Sequence, residues 1–199
     1  MTAPTQRAAS KTATQQRIVD AAFTLFREHG YEATTMSQIA RQAETSRPNL
    51  YLHFTSKTQI VLDRMKSIEP SATAMYDELG ELATFSTYSM LEWLRSTGKA
   101  MWNSHSAEFD AINRATATDD EVLDEWLGLH RRISSQLADR LKPELKDDER
   151  AAWESYLTTL LVGLERNFYF IYIRGHAERE EFALRGLAQQ WAGFLGAQH

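Results

Sequence analysis

Cysteine is absent from all 199 residues, which excludes disulfides and thiolate metal ligands and makes a reducing compartment the natural setting. No apolar run approaches the roughly 18 residues of a membrane span, and residues 1–13 lack the apolar core of a signal peptide. A cytoplasmic chain with no membrane partner is therefore expected. No stretch alternates polar and apolar residues as a half-buried strand would, and no internal repeat is visible. Catalytic patterns are missing too: there is no His-Glu-x-x-His, no Glu-x-x-His of the bundle type, and no glycine-rich phosphate loop after a strand. No metal or cofactor is expected, and these absences weigh against an enzyme or carrier bundle. Tryptophan is missing from the first 90 residues, and all 5 lie beyond them.

The net charge of −5 does not suggest a polyanion as partner until it is divided along the chain. Residues 1–66 carry nine Lys/Arg against five Asp/Glu, net +4, and residues 67–199 carry thirteen against twenty-two, net −9. Such asymmetry fits a nucleic-acid module joined to a part that does not touch nucleic acid.

Within the basic part, residues 35–57 read as two short helices around a tight turn. Thr35 can cap the first, with Gln38 as its capping-box partner. Met36, Ile39, Ala40 and Ala43 then fall on one apolar stripe. Ser46 can cap the second helix, and Pro48 is tolerated there because first-turn N–H groups have no intrahelical partner. Leu50 and Phe54 bury that helix, while Arg47, Asn49, Tyr51 and His53 occupy the opposite face. Hydrogen-bonding groups on the first two turns suit entry into a DNA major groove.

Ser46-Arg47-Pro48-Asn49-Leu50-Tyr51-Leu52-His53-Phe54-Thr55-Ser56-Lys57, preceded by Phe26-Arg27-Glu28-His29-Gly30-Tyr31-Glu32-Ala33-Thr34-Thr35, resembles the TetR family of transcriptional regulators over about residues 14–66. One departure is Glu44, where most members carry glycine at the turn. The resemblance implies a three-helix helix-turn-helix module in which Thr35, Ser46, Arg47, Pro48, Asn49, Tyr51, His53 and Lys57 contact DNA. Arg47 and Asn49 would reach base edges, and Thr35, Tyr51, His53 and Lys57 would hold phosphates.

Around that pair, a helix from Thr14 to His29 buries Ile18, Val19, Ala22, Phe23, Leu25 and Phe26, and Gly30 caps its end. A helix from Ser56 links the module to everything beyond, and Pro70 is expected to break or kink it. The remainder reads as helices over residues 71–83, 86–104, 106–116, 122–141, 150–174 and 178–197. Gly186 and Gly193, with Ala183 and Ala197, give the final helix a small-residue face.

Trp126, His130, Ile133 and Leu137 form one inward stripe at helical spacing, which Leu94, Trp102, Leu161, Leu164 and Phe168 could face. Such a stripe reads either as plain core or as a pocket wall. Glu165 is the most unusual ionisable group, an acid within an otherwise apolar helix, and Arg166 beside it faces elsewhere. Residues 103–126 and the run Leu164-Glu165-Arg166-Asn167-Phe168-Tyr169-Phe170 look like the ligand domain of the ethionamide-resistance repressor subgroup. That resemblance implies an apolar tunnel walled by Leu94, Gly98, Trp102, Trp126, His130, Ile133, Leu164, Phe168 and Tyr169. Leu164 stands where the subgroup carries Asn, so an amide contact to ligand is lost there.

The expected organisation is all-α: a disordered arm at 1–13, a helix-turn-helix DNA-binding domain at 14–66, and a ligand-binding and dimerisation bundle at 67–199. The expected function is a homodimeric transcriptional repressor, paired through its last two helices. It would bind a palindromic double-stranded operator and be released by an apolar or aromatic small molecule. A ligand-independent or activating regulator of the same fold remains the alternative.

Overall fold

The computed structural model describes residues 6–196, with side chains from residue 11 onward. Every regular element among the described residues is helical, in agreement with the expected all-α class. The chain divides into two compact units, residues 1–67 with 107–125, and residues 68–106 with 126–199.

In the first unit, α1 (Gln6–His29) packs against α2 (Met36–Gln42), and α2 against α3 (Arg47–Tyr51). Helix α1 begins well before the expected Thr14 because residues 6–29 contain neither proline nor glycine and are rich in Ala, Gln and Arg. Of the expected disordered arm, residues 1–5 lie outside the described residues, as does the Arg7 side chain. Gly30 ends the helix with φ +87 and donates its N–H to the Phe26 carbonyl at 2.9 Å, a left-handed cap that suits glycine. Ile18, Ala22, Phe26, Ile39, Leu50, Ile60 and Val61 are all almost fully buried in the core. Phe26 sits edge-on between Phe23 and Tyr31, 5.4 and 5.2 Å away.

Residues 107–125, expected with the C-terminal part, belong to this first unit instead. They comprise most of α7 (Ser106–Ala115) and the first turns of α8 (Asp120–Leu141). Asp119 explains the placement: its carboxylate accepts hydrogen bonds from Tyr31 and Thr58. Arg64 on α4 (Lys57–Gly80) pairs with Asp20 of α1 and reaches Glu108 of α7 at 3.8 Å. The chain therefore crosses between units at three points, and the helix from Ser56 is not its sole covalent route.

Helix α4 is one continuous element with Pro70 inside it, so the expected break is corrected. Proline removes one N–H from the ladder, yet Pro70 and Lys66, whose carbonyl loses that donor, are both exposed to water. Met65, Ile68, Met75, Tyr76 and Leu79 are buried on the other face, and this burial holds the helix through the proline.

In the second unit, α5 (Thr87–Trp93) lies along α10 (Glu180–Leu195) and α10 also packs on α9 (Asp147–Phe168). Tyr76, Trp93 and Trp191 fill the centre with ring centroids 5.9–6.4 Å apart. Two π-helical turns interrupt the helical runs, Leu94–Gly98 between α5 and α6 (Lys99–Ser104), and Tyr169–Ile173 after α9. Gly98 meets Phe168 there: a Cβ on Gly98 would lie 3.1 Å from the Phe168 ring. Helix α10 ends at Leu195, and Ala197 lies outside the described residues. No helix among the described residues is long and apolar enough to cross a membrane.

Candidate nucleic-acid interface and effector site

Local capping sets the frame of the α2–α3 pair. The Thr35 hydroxyl accepts from the Gln38 N–H, and Gln38 Oε1 in turn accepts from the Thr35 N–H at 2.7 Å, the reciprocal box the sequence suggests. Ser46 Oγ accepts from the Asn49 N–H at 3.2 Å, and Pro48 occupies the first turn of α3. Between the helices, Glu44 adopts φ +50, the left-handed region that costs an ordinary residue roughly 1–2 kcal/mol. It is exposed, and the turn is held by hydrogen bonds from Glu44 and Thr45 to the Arg41 and Ala40 carbonyls.

The structure separates the eight expected DNA-contacting residues into two groups. Thr35, Ser46, Arg47, Pro48 and Tyr51 are exposed, and Leu52 beside them is 79% exposed, an open apolar residue that the sequence reading passed over. Asn49 and His53 are half-buried. The Asn49 amide donates to Thr45 Oγ1 at 2.7 Å, so it braces the turn. His53 Nδ1 is buried and meets no hydrogen-bonding partner among the described residues. Lys57 is also inward: Nζ donates to the Tyr31 carbonyl at 2.6 Å and the Glu32 carbonyl at 3.2 Å, and lies 4.6 Å from the Tyr31 ring centre. Burial lowers its basicity, against the charges of Glu32 and Asp119, which raise it. Lys57 therefore ties the loop after α1 to the start of α4.

Tyr31, Thr58 and Asp119 form a cluster that the sequence reading did not find. The phenolic pKa of Tyr31 is pushed up to about 12, by burial first and also by Asp119, against a hydrogen bond with Thr58 that lowers it.

In the second unit, Leu94, Gly98, Trp102, His130, Ile133, Leu164, Phe168 and Tyr169 are buried and Trp126 is half-buried. Trp102 meets Phe168 edge-on at 5.7 Å. Trp126 and His130, one turn apart on α8, have ring centroids 4.2 Å apart at a tilt of 47°, and both reach Glu165 on α9. Trp126 Nε1 donates to both Glu165 oxygens at 3.0 Å, and His130 Nε2 lies 3.0 Å from Oε2. Arg166 faces elsewhere, with its guanidinium 5.6 Å from the Tyr169 ring and 5.9 Å from Phe170. Two open grooves lie along α9 and α10. One of about 880 Å³ is lined by Trp153, Tyr156, Gly193 and Phe194, and one of about 980 Å³ by Phe170, His176, Phe182 and Ala183.

Residues 18–63 match the family model of bacterial regulatory proteins, tetR family. Over this stretch the chain is similar to the TetR family. Its match includes α2, α3 and the first turns of α4. The chain is 40% identical over 52 residues to IcaR of Staphylococcus aureus, a negative transcriptional regulator of a biofilm operon, covering 26% of this chain and 28% of that protein. It is 37% identical over 67 residues to the A-factor receptor protein of Streptomyces griseus, covering 34% and 24%. The matches thus span about a quarter of the length of these curated relatives.

The fold extends further than the sequence likeness. A protein assigned to the TetR-family regulators from Syntrophomonas wolfei superposes with TM-score 0.71 at 14% identity, over 94% of this chain and 97% of that one. FadR of Thermus thermophilus, a TetR-family repressor in complex with lauroyl-CoA, superposes with TM-score 0.57 at 16% identity, over 91% and 92%. At 14 and 16% identity these likenesses concern the fold.

Proposed function

We propose that the chain is a homodimeric, ligand-responsive transcriptional repressor that binds a palindromic operator in the cytoplasm and is released by an apolar small molecule. The observation that carries the reading is the capped α2–α3 pair, with Arg47 at the start of the second helix and Tyr51 at its end both open to solvent. On this reading Arg47 reads base edges, Thr35, Ser46 and Tyr51 hold phosphates, and Pro48 shapes the helix start. Asn49, His53 and Lys57 support the same surface from its inner side. IcaR, a negative regulator, favours repression over activation.

Dimerisation is assigned to α9 and α10. Tyr156 on α9, Phe170 in the π-helical turn after it and Phe182 on α10 are 55, 46 and 80% exposed, and a Cβ on Gly186 or Gly193 would meet nothing within 4 Å. Large rings beside open glycines give a surface onto which a second copy's helices can settle closely. Two recognition helices would then address half-sites about 34–36 Å apart.

The effector is assigned to the buried cluster of Leu94, Gly98, Trp102, Trp126, His130, Ile133, Leu164, Phe168 and Tyr169, in keeping with the resemblance to the ethionamide-resistance repressor subgroup. Lauroyl-CoA on the Thermus neighbour supports small-molecule control. An effector releases DNA by favouring a conformation whose recognition helices no longer match successive grooves. Footprinting on DNA flanking the chain's own gene, with and without apolar compounds, tests the proposal. A palindromic protected site that opens with compound is expected, and no protection at any site refutes it.

A further inference from the structure

Glu165 is a carboxylate with 16% of its side chain exposed, and its partners leave it short of positive charge. Its hydrogen-bond donors come from one turn of α8, the Trp126 indole and the His130 ring. An ionised carboxylate offers about four acceptor positions, and a buried one is costly without a cation.

His130 sharpens the point. Its Nδ1 lies 2.8 Å from the Trp126 carbonyl oxygen and its Nε2 lies 3.0 Å from Glu165. Both neighbours only accept hydrogen bonds, so both ring nitrogens must carry hydrogen for the two contacts to be made. Neutral imidazole carries one. With a neutral ring one of the two contacts lacks its hydrogen, so the cluster has room for one further donor beside a ring that is 6% exposed. Tyr76, also buried, has its acidity weakened by burial first and by the charge of Glu165 second. Residues 68–106 and 126–199, the unit that holds Glu165, carry a net charge of −3, a field that attracts cations.

The geometry points to Glu165 as the anchor for a positively charged group on the effector, an alkyl- or arylammonium that supplies the missing donor. This rests on the assignment of the effector to the Trp126–His130 cluster and adds the chemical class. The ammonium donates to Glu165, the apolar tail lies among Trp102, Leu164 and Phe168, and aromatic faces beside the carboxylate favour a cation further.

The test uses the full chain labelled with ¹⁵N at tryptophan, the Trp126 indole signal being assigned with Trp126→Phe. Octylammonium, octanol and octanoate are titrated in turn at pH 7. Octylammonium is expected to bind about tenfold more tightly than octanol, to shift the Trp126 indole signal, and to leave octanoate the weakest. Glu165→Gln keeps the shape and an oxygen for Trp126; there the preference should fall to within about twofold while octanol binding is unchanged. Glu178→Gln, at an exposed acid, should keep the preference. If octanol or octanoate binds wild type as tightly as octylammonium, or Glu165→Gln retains the preference, the assignment of Glu165 is overturned while the effector cluster stands. If none of the three binds at the cluster or releases DNA, both fall. Should Glu165→Gln not fold, the ranking of head groups on wild type decides alone.

Discussion

Tyr31 donates its phenolic hydrogen to Asp119 at 2.8 Å across 88 residues of sequence, and Thr58 donates to the same oxygen at 2.6 Å. One carboxylate thereby fastens the start of α8 to the loop after α1 and to the first turn of α4. Burial pushes the Asp119 carboxyl up, but hydrogen bonds from Thr58, Tyr31 and the backbone N–H groups of Val122 and Glu121 outweigh it and hold it below the ordinary range.

That depression fixes the sign of a pH effect. A carboxylate with a lowered folded pKa stabilises fully above its unfolded value, about 3.9, and the contribution is lost as pH falls through the folded value. Wild type should therefore exceed Asp119→Asn in stability at neutral pH, and the gap should close below about pH 4. Urea unfolding of both proteins between pH 2 and 7 checks this. A gap independent of pH would show that the charge of Asp119 contributes nothing.

Arg47 and Lys57, both basic and both on the expected DNA face, should behave differently. Arg47→Ala should cost about 1–3 kcal/mol on the operator and relax sequence preference, with little change in thermal midpoint. Lys57→Ala removes two hydrogen bonds to the Tyr31 and Glu32 carbonyls and should cost stability of roughly 1 kcal/mol or more. Operator and random-sequence binding, measured beside melting curves, separates the two. Equal loss of Arg47→Ala on both DNAs would remove its role in reading bases.

Gly193 offers a test of assembly that leaves the protomer intact. A Cβ there has open space around it, so Gly193→Leu should be tolerated within one copy. In a close helix pairing between copies the added bulk should cost about 1–3 kcal/mol, visible as a weaker dimer in sedimentation equilibrium. An unchanged dimer, or a monomeric wild type, would place the interface elsewhere.

These residues also show what the sequence could convey. Gly30, the Thr35–Gln38 box and the Ser46 cap were legible because each acts within three or four residues of itself. Pro70 misled because the local rule for proline is strong, while the burial of Ile68, Met75 and Leu79 that overrides it is tertiary. The Asp119 cluster was illegible, since its partners lie 88 and 61 residues away. Asn49 is placed on the DNA face by its helical position and Lys57 by the family resemblance, and neither signal conveys the hydrogen bonds that their polar ends make to Thr45 and to two loop carbonyls. Glu165 stood out as an acid in an apolar helix, and its pairing with Trp126 and His130 emerged only from the packing of α8 on α9.

Glu44 sets charge against backbone at the turn before the recognition helix. Its φ of +50 disfavours a side chain, and its exposed carboxylate opposes the approach of phosphates. Glu44→Gly should relieve the first, gaining up to about 1 kcal/mol of stability after the larger chain entropy of glycine is offset. It should also remove the second, strengthening binding to any DNA, most visibly at low salt. Glu44→Gln isolates charge: it should reproduce the gain in DNA affinity but leave stability close to wild type, because the backbone strain remains. Melting curves and salt-dependent binding to random DNA, run on all three proteins, distinguish the two effects. If Glu44→Gln binds DNA no better than wild type, the carboxylate points away from the phosphates. If Glu44→Gly is then no more stable either, the turn tolerates Glu44 without cost.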